Sequence, residues 1–325
     1  MTETAPPIEV RGLVKRYGEL TAVDGVDLTV QTGDVYGYLG PNGAGKTTSL
    51  RMMLGLIRPT AGTVRLFGRD PNATATALDG VAGFVEAPTF YPYMSARRNL
   101  ELLAAFDGGD AAARIEPALE TVELTGRARD RVGGYSHGMR QRLGIAAALL
   151  RAPKVLLLDE PATGLDPAGM RDMRVLIRRL ADEGMTVLLS SHLLAEVEEL
   201  CDRVAILRSG RIVYEGTIAA LARGAGTVYR LATTDDQRAS AICRAQQGIG
   251  EPKVEHGRIT FSASEAAVAE LSRALVEAGV LIHELAPQTV TLEDLFFSLT
   301  EGDGVPAASS GAQPPAEPEA VEAAL

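Results

Sequence analysis

Val35-Tyr-Gly-Tyr-Leu39 followed by Gly40-Pro41-Asn42-Gly43-Ala44-Gly45-Lys46-Thr47-Thr48 is the stretch that decides the fold. The apolar run reads as a buried strand, the glycines as a loop, and Thr47 to Leu56 as a helix. The loop matches G-x4-G-K-[ST] in the context its mechanism requires, after a strand and before a helix. Glycine lets successive backbone N–H groups curl around phosphate, and the helix N-terminus adds partial positive charge. Lys46 is expected to reach the β and γ phosphates and the Thr47 hydroxyl to ligate Mg²⁺. All nine residues from Gly40 to Thr48 are candidate nucleotide contacts. By itself the loop implies a nucleoside triphosphatase and nothing finer.

Working outward, Val155-Leu-Leu-Leu-Asp159-Glu160 is a second buried strand, ending in two adjacent acids. Such a strand emerges into the crevice at the carboxyl edge of an α/β sheet. There Asp159 is expected to hold Mg²⁺ through water, and Glu160 to align and polarise an attacking water. Strand signals at Thr186 to Ser190 and Arg203 to Leu207 alternate with helices over Pro167 to Asp182 and Leu193 to Cys201, the pattern of a parallel α/β sheet. Upstream, Ile8 to Val14 and Val26 to Val30 read as an antiparallel sheet. Residues 88–152 turn helical: Ser95 caps Ala96 to Phe106, and Ala111 to Glu123 and Met139 to Leu150 follow.

A hairpin over Ala205 to Tyr214, turning at Ser209-Gly210, closes a first domain of residues 1–221, and Ala222 to Thr227 reads as the linker. Residues 222–301 form a second unit. It reads as strand (Thr227 to Ala232), helix (Asp236 to Gln247), a strand pair turning at His256-Gly257, helix (Glu265 to Ala278) and strand (Val280 to Leu285). That order, βαββαβ, is ferredoxin-like. A last helix, Leu292 to Leu299, is expected to fold back on the first domain. Residues 302–325, rich in proline and acid with no base, are expected to be disordered.

Tyr135-Ser136-His137-Gly138-Met139-Arg140-Gln141-Arg142, ahead of an apolar helix, is similar to the signature motif of the ATP-binding cassette (ABC) family. His137 and Met139 replace the motif's usual second glycine and glutamine. The remaining family marks stand in order: Tyr17 where an aromatic stacks on adenine, Glu86 at the loop that usually bears glutamine, Gly164-Leu165-Asp166 as the D-loop, and His192 as the switch histidine. The resemblance covers Ile8 to about Leu221. It implies a P-loop NTPase cassette of α/β class, with antiparallel, parallel α/β and helical parts, that binds ATP and Mg²⁺ and is catalysed by Lys46, Glu160 and His192. It also implies a head-to-tail homodimer of cassettes, in which each ATP lies between one phosphate loop and the partner's Ser136 and Gly138. Glu86 puts a carboxylate where an amide usually touches Mg²⁺, so it joins Thr47 and Asp159 as a candidate ligand. The loop from Phe84 to Leu100 and the segment from Thr291 to Thr300 resemble the exporters of drug and peptide-antibiotic resistance.

Composition sets the outer bounds. Hydrophobic residues at 46% and charged residues at 23% give an ordinary globular balance. Forty-two acids against 32 bases leave a net charge of -10, which argues against a partner held mainly through nucleic-acid phosphates. Cys201 and Cys243 fit no metal spacing or disulfide framework and read as reduced thiols. The start of the chain lacks a secretory pattern, and no apolar run approaches the ~20 residues of a membrane-spanning helix. The expectation is a subunit peripheral to the inner face of the membrane, driving a separate transmembrane permease. Two other classes share the phosphate loop: a soluble cassette ATPase acting on DNA or ribosomes, and a binding module that sequesters a drug. The first would need a long coiled-coil insertion before Tyr135 or a second cassette, and neither is present. Intact Glu160 and His192 argue against the second.

Overall fold

The computed structural model describes residues 5–224, 227–255 and 258–288, together with Phe296 and Leu299. β1 (Ile8–Tyr17) and β2 (Leu20–Val30) form a hairpin through Gly18, and β3 (Val35–Leu39) leads to the phosphate loop. α1 (Lys46–Met53) leaves that loop and stops short of the expected Leu56, because Gly55 adopts φ 66° and its Cα lies close under the Pro71 carbonyl. Then come β4 (Ala61–Leu66), β5 (Val81–Phe84), α2 (Ala96–Asp107), α3 (Ile115–Thr121), α4 (His137–Leu149) and β6 (Val155–Asp159). After these follow α5 (Pro167–Asp182), β7 (Thr186–Ser191), α6 (Leu194–Leu200), β8 (Arg203–Arg208), β9 (Arg211–Thr217) and α7 (Ile218–Gly224).

β5, β6, β7, β3, β8 and β9 lie side by side in that order, parallel except for β9, which pairs antiparallel with β8. Side chains alternate across this sheet, so each central strand feeds two cores. Val35, Leu156, Leu158, Val187, Leu189, Val204 and Ile206 face α2 to α6, while Tyr36, Tyr38, Val155, Leu157, Leu188, Ala205 and Leu207 face the antiparallel sheet β2-β1-β4 and α1. Burial on both faces explains why these strands read as continuous apolar runs.

β4 and β5 were not expected from the sequence. β4 buries only Val64 and Leu66, and β5 is a short strand containing Gly83. Gly83 is there because a Cβ would sit 1.9 Å from the Leu157 carbonyl of β6. The expected helix over Ala111 to Glu123 divides into a 3₁₀ turn, Ala111–Arg114, and α3.

β10 (Thr227–Thr233), α8 (Asp236–Ala245), β11 (Lys253–Glu255), β12 (Arg258–Ala263), α9 (Glu265–Glu277) and β13 (Ile282–Gln288) complete the described chain. Their antiparallel sheet has the order β11-β12-β10-β13. This is the ferredoxin-like arrangement, with its own core of Leu231, Ile259, Phe261, Leu271 and Leu275. The expected turn at His256-Gly257, the tail 302–325 and most of the expected last helix lie outside the described residues. Phe296 and Leu299 are helical and pack against the core beneath α2 to α6.

Candidate functional site

β7 lies between β6 and β3, so the ends of three parallel strands meet at one edge of the sheet. The Gly40 N–H donates to the Ser191 carbonyl at 3.2 Å, which ties the phosphate loop to the end of β7. The loop then curls through Gly43 (φ 82°) and Gly45 (φ 104°). A Cβ on Gly40 would lie 2.6 Å from the Leu207 carbonyl and one on Gly45 2.4 Å from that of Ala22, so glycine is required at both by close backbone approach. Lys46 is only 4% exposed. Its Nζ donates to the carbonyls of Gly40 at 2.7 Å and Pro41 at 3.2 Å, and stands 3.4 Å from Glu160 Oε1.

Register pairs Asp159 with Ser190 across β6 and β7. The Ser190 hydroxyl donates to Asp159 Oδ1 at 2.5 Å and accepts from the Glu160 N–H at 3.0 Å. Glu160 leaves the strand with φ 47°, a left-handed conformation unusual outside glycine, and this turns its side chain along the edge. There Oε2 accepts from the Thr163 hydroxyl at 2.8 Å and lies 3.1 Å from His192 Nδ1. Partial burial pushes the Glu160 carboxyl up, but the Thr163 hydroxyl, Lys46 and His192 together outweigh it and hold the group below its ordinary value. A carboxylate kept ionised, oriented at both oxygens and set against the phosphate loop can polarise water beside a bound phosphate.

Thr47 opens α1 beside Lys46, and Asp159 is buried at the end of β6. Among the described residues no three His, Cys, Asp or Glu side chains converge on one point. Mg²⁺ in nucleotide sites is held by one or two protein oxygens and completed by phosphate oxygens and water. The hard oxygens of Thr47 and Asp159 fit the role. Glu86 stands differently: its N–H donates to Asp159 Oδ2 at 3.3 Å, while its carboxylate pairs with Arg51 of α1 at 2.5 Å and is 68% exposed. To ligate Mg²⁺ the carboxylate must leave Arg51. Tyr17 ends β1 half exposed, with Lys15 Nζ 5.0 Å from its ring centroid, and is free to offer a face to a flat ring.

Ser136 and Gly138 are elsewhere. Ser136 caps α4, accepting from the Met139 N–H at 3.2 Å. With Gly138, Gly164, Leu165 and Asp166 it lines an open cleft of about 400 Å³ in which no phosphate-loop residue takes part. Asp166 caps α5 by accepting from the Gly169 N–H at 2.9 Å. His137 joins the two regions: its Nε2 lies 3.0 Å from the Thr163 carbonyl, and the Thr163 hydroxyl is the one that holds Glu160. Sequence reading missed Thr163, Ser190 and Ser191, whose sole local signal is adjacency to Glu160 and His192.

Residues 23–163 match the family model described as ABC transporter. The bacitracin transport ATP-binding protein BcrA of Enterococcus faecalis is 38% identical over 300 residues, 92% of this chain and 97% of that protein. The chain belongs to the ATP-binding subunits of ABC transporters. The daunorubicin/doxorubicin resistance ATP-binding protein DrrA of Streptomyces peucetius is 37% identical over 98% of this chain and 99% of its own. Among solved structures, a dimeric ATP-binding cassette in a post-hydrolysis state, bound to ADP and phosphate, superposes with a TM-score of 0.59 at 25% identity, over 65% of this chain and 98% of its own. As a member of this family the cassette binds and hydrolyses ATP. The fold and the family expected from the motifs are those found.

Proposed function

We propose that this cassette is the ATP-hydrolysing motor of an exporter, working as a head-to-tail pair on a permease carried by a separate polypeptide. One observation carries the pairing: Ser136 and Gly138 open a cleft apart from the phosphate loop, so one chain leaves its signature without a nucleotide. In the pair, each ATP lies between Lys46 of one subunit and Ser136 of the other, whose helix N-terminus and hydroxyl face the γ-phosphate. Tyr17 stacks on adenine. Thr47 and Asp159 would hold Mg²⁺, which would offset phosphate charge, and Glu86 would join them only if its carboxylate left Arg51. Glu160 orients and polarises the attacking water, and His192 holds Glu160.

The exporter reading rests on relatives matched along nearly their whole length and named for bacitracin transport and daunorubicin resistance. No described helix is long and apolar enough to cross a membrane, so docking at the inner face is through the permease. A tagged chain purified in mild detergent is expected to bring a multi-span protein with it. Recovery of the cassette alone from cells that encode a neighbouring permease contradicts the transport reading.

The unit 222–301 serves pairing or coupling and not hydrolysis, because none of the site residues falls in it. Truncation after Leu221 is expected to retain nucleotide binding. It also removes Phe296 and Leu299 from the cassette core, so the truncated chain should melt at lower temperature. A folded truncation that no longer binds nucleotide overturns this assignment.

A further inference from the structure

Behind His192, Glu196 of α6 is a buried carboxyl that the hydrolytic arrangement above does not use. It is 5% exposed. Its Oε2 lies 2.6 Å from the Ser191 hydroxyl, while Oε1 is buried without a hydrogen-bond donor among the described residues. Ser191 is a hub: its Oγ accepts from the Leu193 N–H at 2.9 Å and lies 3.3 Å from the Leu193 carbonyl. Ser191 and Leu193 flank His192, so these bonds define the turn from which the imidazole reaches Glu160.

The protonation of Glu196 decides whether that network closes. As a carboxylate it would receive one hydrogen bond, from Ser191, and keep a bare charged oxygen in the interior, which is far costlier than a bare neutral carbonyl. As an acid it donates from Oε2 to Ser191 Oγ. The Ser191 hydroxyl is then free to donate to the Leu193 carbonyl, and both ends of the turn are tied. Three charged or titratable groups on neighbouring elements face it: His192 on the turn, Arg174 of α5 and Glu160 after β6. Arg174 is itself bonded to Glu199 at 2.8 Å, and the buried Cys201 thiol below is held neutral. Burial pushes the Glu196 carboxyl up against the pull of Ser191, His192 and Arg174. α6 cannot drift away from this arrangement, since Val197 and Cys201 pack onto β3 where a Cβ on Gly37 would meet them at 2.8 and 3.0 Å.

We infer that Glu196 is a positioning residue that works as a neutral acid, its proton locking the Ser191–Leu193 turn that aims His192 at Glu160. The inference rests on the reading of His192 given above. Because the acid ionises as pH rises, hydrolysis should fall on the alkaline side as the lock opens.

The test uses the full chain in three forms. Glu196→Gln, which mimics the neutral acid, is expected to keep kcat and lose the alkaline decline. Glu196→Ala is expected to lower kcat on the order of 10²-fold, as a misplaced group does, with KM for ATP unchanged. Isotope-edited infrared spectra at neutral pH should contain a protonated carboxyl band that Glu196→Gln removes. The His192 ring resonances should move in Glu196→Ala and stay put in Glu196→Gln. Absence of the band, or a Gln variant as impaired as the Ala variant, overturns the inference. If His192→Ala hydrolyses at the parent rate, the reading of His192 falls; the band and the ring resonances, which need no turnover, still decide Glu196.

Discussion

The carboxyl edge and the signature cleft of this cassette are built in opposite ways. At the carboxyl edge, Lys46, Asp159, Glu160, Thr163, Ser190 and His192 are joined by contacts of 2.5 to 3.4 Å, and a left-handed backbone at a non-glycine residue, Glu160, sits among them. At the signature, the Ser136 hydroxyl caps α4 and makes no other hydrogen bond among the described residues, and its cleft stands open. The first region is held in place by the chain's own contacts, and such preorganisation is what electrostatic stabilisation of a transition state requires. In the proposed pair the second offers donors to the partner's nucleotide. On the proposed head-to-tail pairing, a chain so divided binds nucleotide alone and hydrolyses it well only in company.

Changes at the organised edge should have the largest effects. Glu160→Gln keeps shape and hydrogen bonding and removes the charge, so phosphate release should fall by about two orders of magnitude or more while ATP binding survives. Lys46→Ala should instead abolish binding, measured by titration calorimetry, because it removes the cation that the loop curls around. If both variants bind and hydrolyse like the parent, the organised edge is not the catalytic one.

Beneath that edge, Leu157→Ala empties a fully buried position on β6 and should cost about 2 to 5 kcal/mol in urea unfolding. The equivalent Leu275→Ala in the C-terminal unit should cost a similar amount while leaving nucleotide binding intact. The smallest effect belongs to Glu86 and Arg51. Their ion pair is exposed, so Glu86→Gln should shift stability by about 0 to 1 kcal/mol. A loss much above that range would show that the pair braces the loop beyond its own charge.

The same contrast explains what could be read from the sequence. β3, β6 and β7 were legible because both their faces are buried and their sequences are apolar throughout, whereas β4 and β5 are strands only because β1 and β6 pair with them. The phosphate loop, Asp159 and Glu160 were legible because each motif is contiguous, and His192 only through its place in the order of the family marks. The bonds that arm them were not: Ser190 reaches Asp159 through strand register, and Thr163 reaches both Glu160 and, through its carbonyl, His137. Glu86 is the instructive case, since its position in the loop assigned the carboxylate to Mg²⁺ while the helix packed beside it supplies Arg51.

The central claim is that the signature cleft of one chain completes the phosphate loop of another, and light scattering on Glu160→Gln with and without MgATP tests it most directly. The account predicts a monomer without nucleotide and a dimer with it, a dimer that Ser136→Arg, placed in the same chain, abolishes. A Glu160→Gln chain that stays monomeric when saturated with MgATP, or a dimer indifferent to Ser136→Arg, contradicts it.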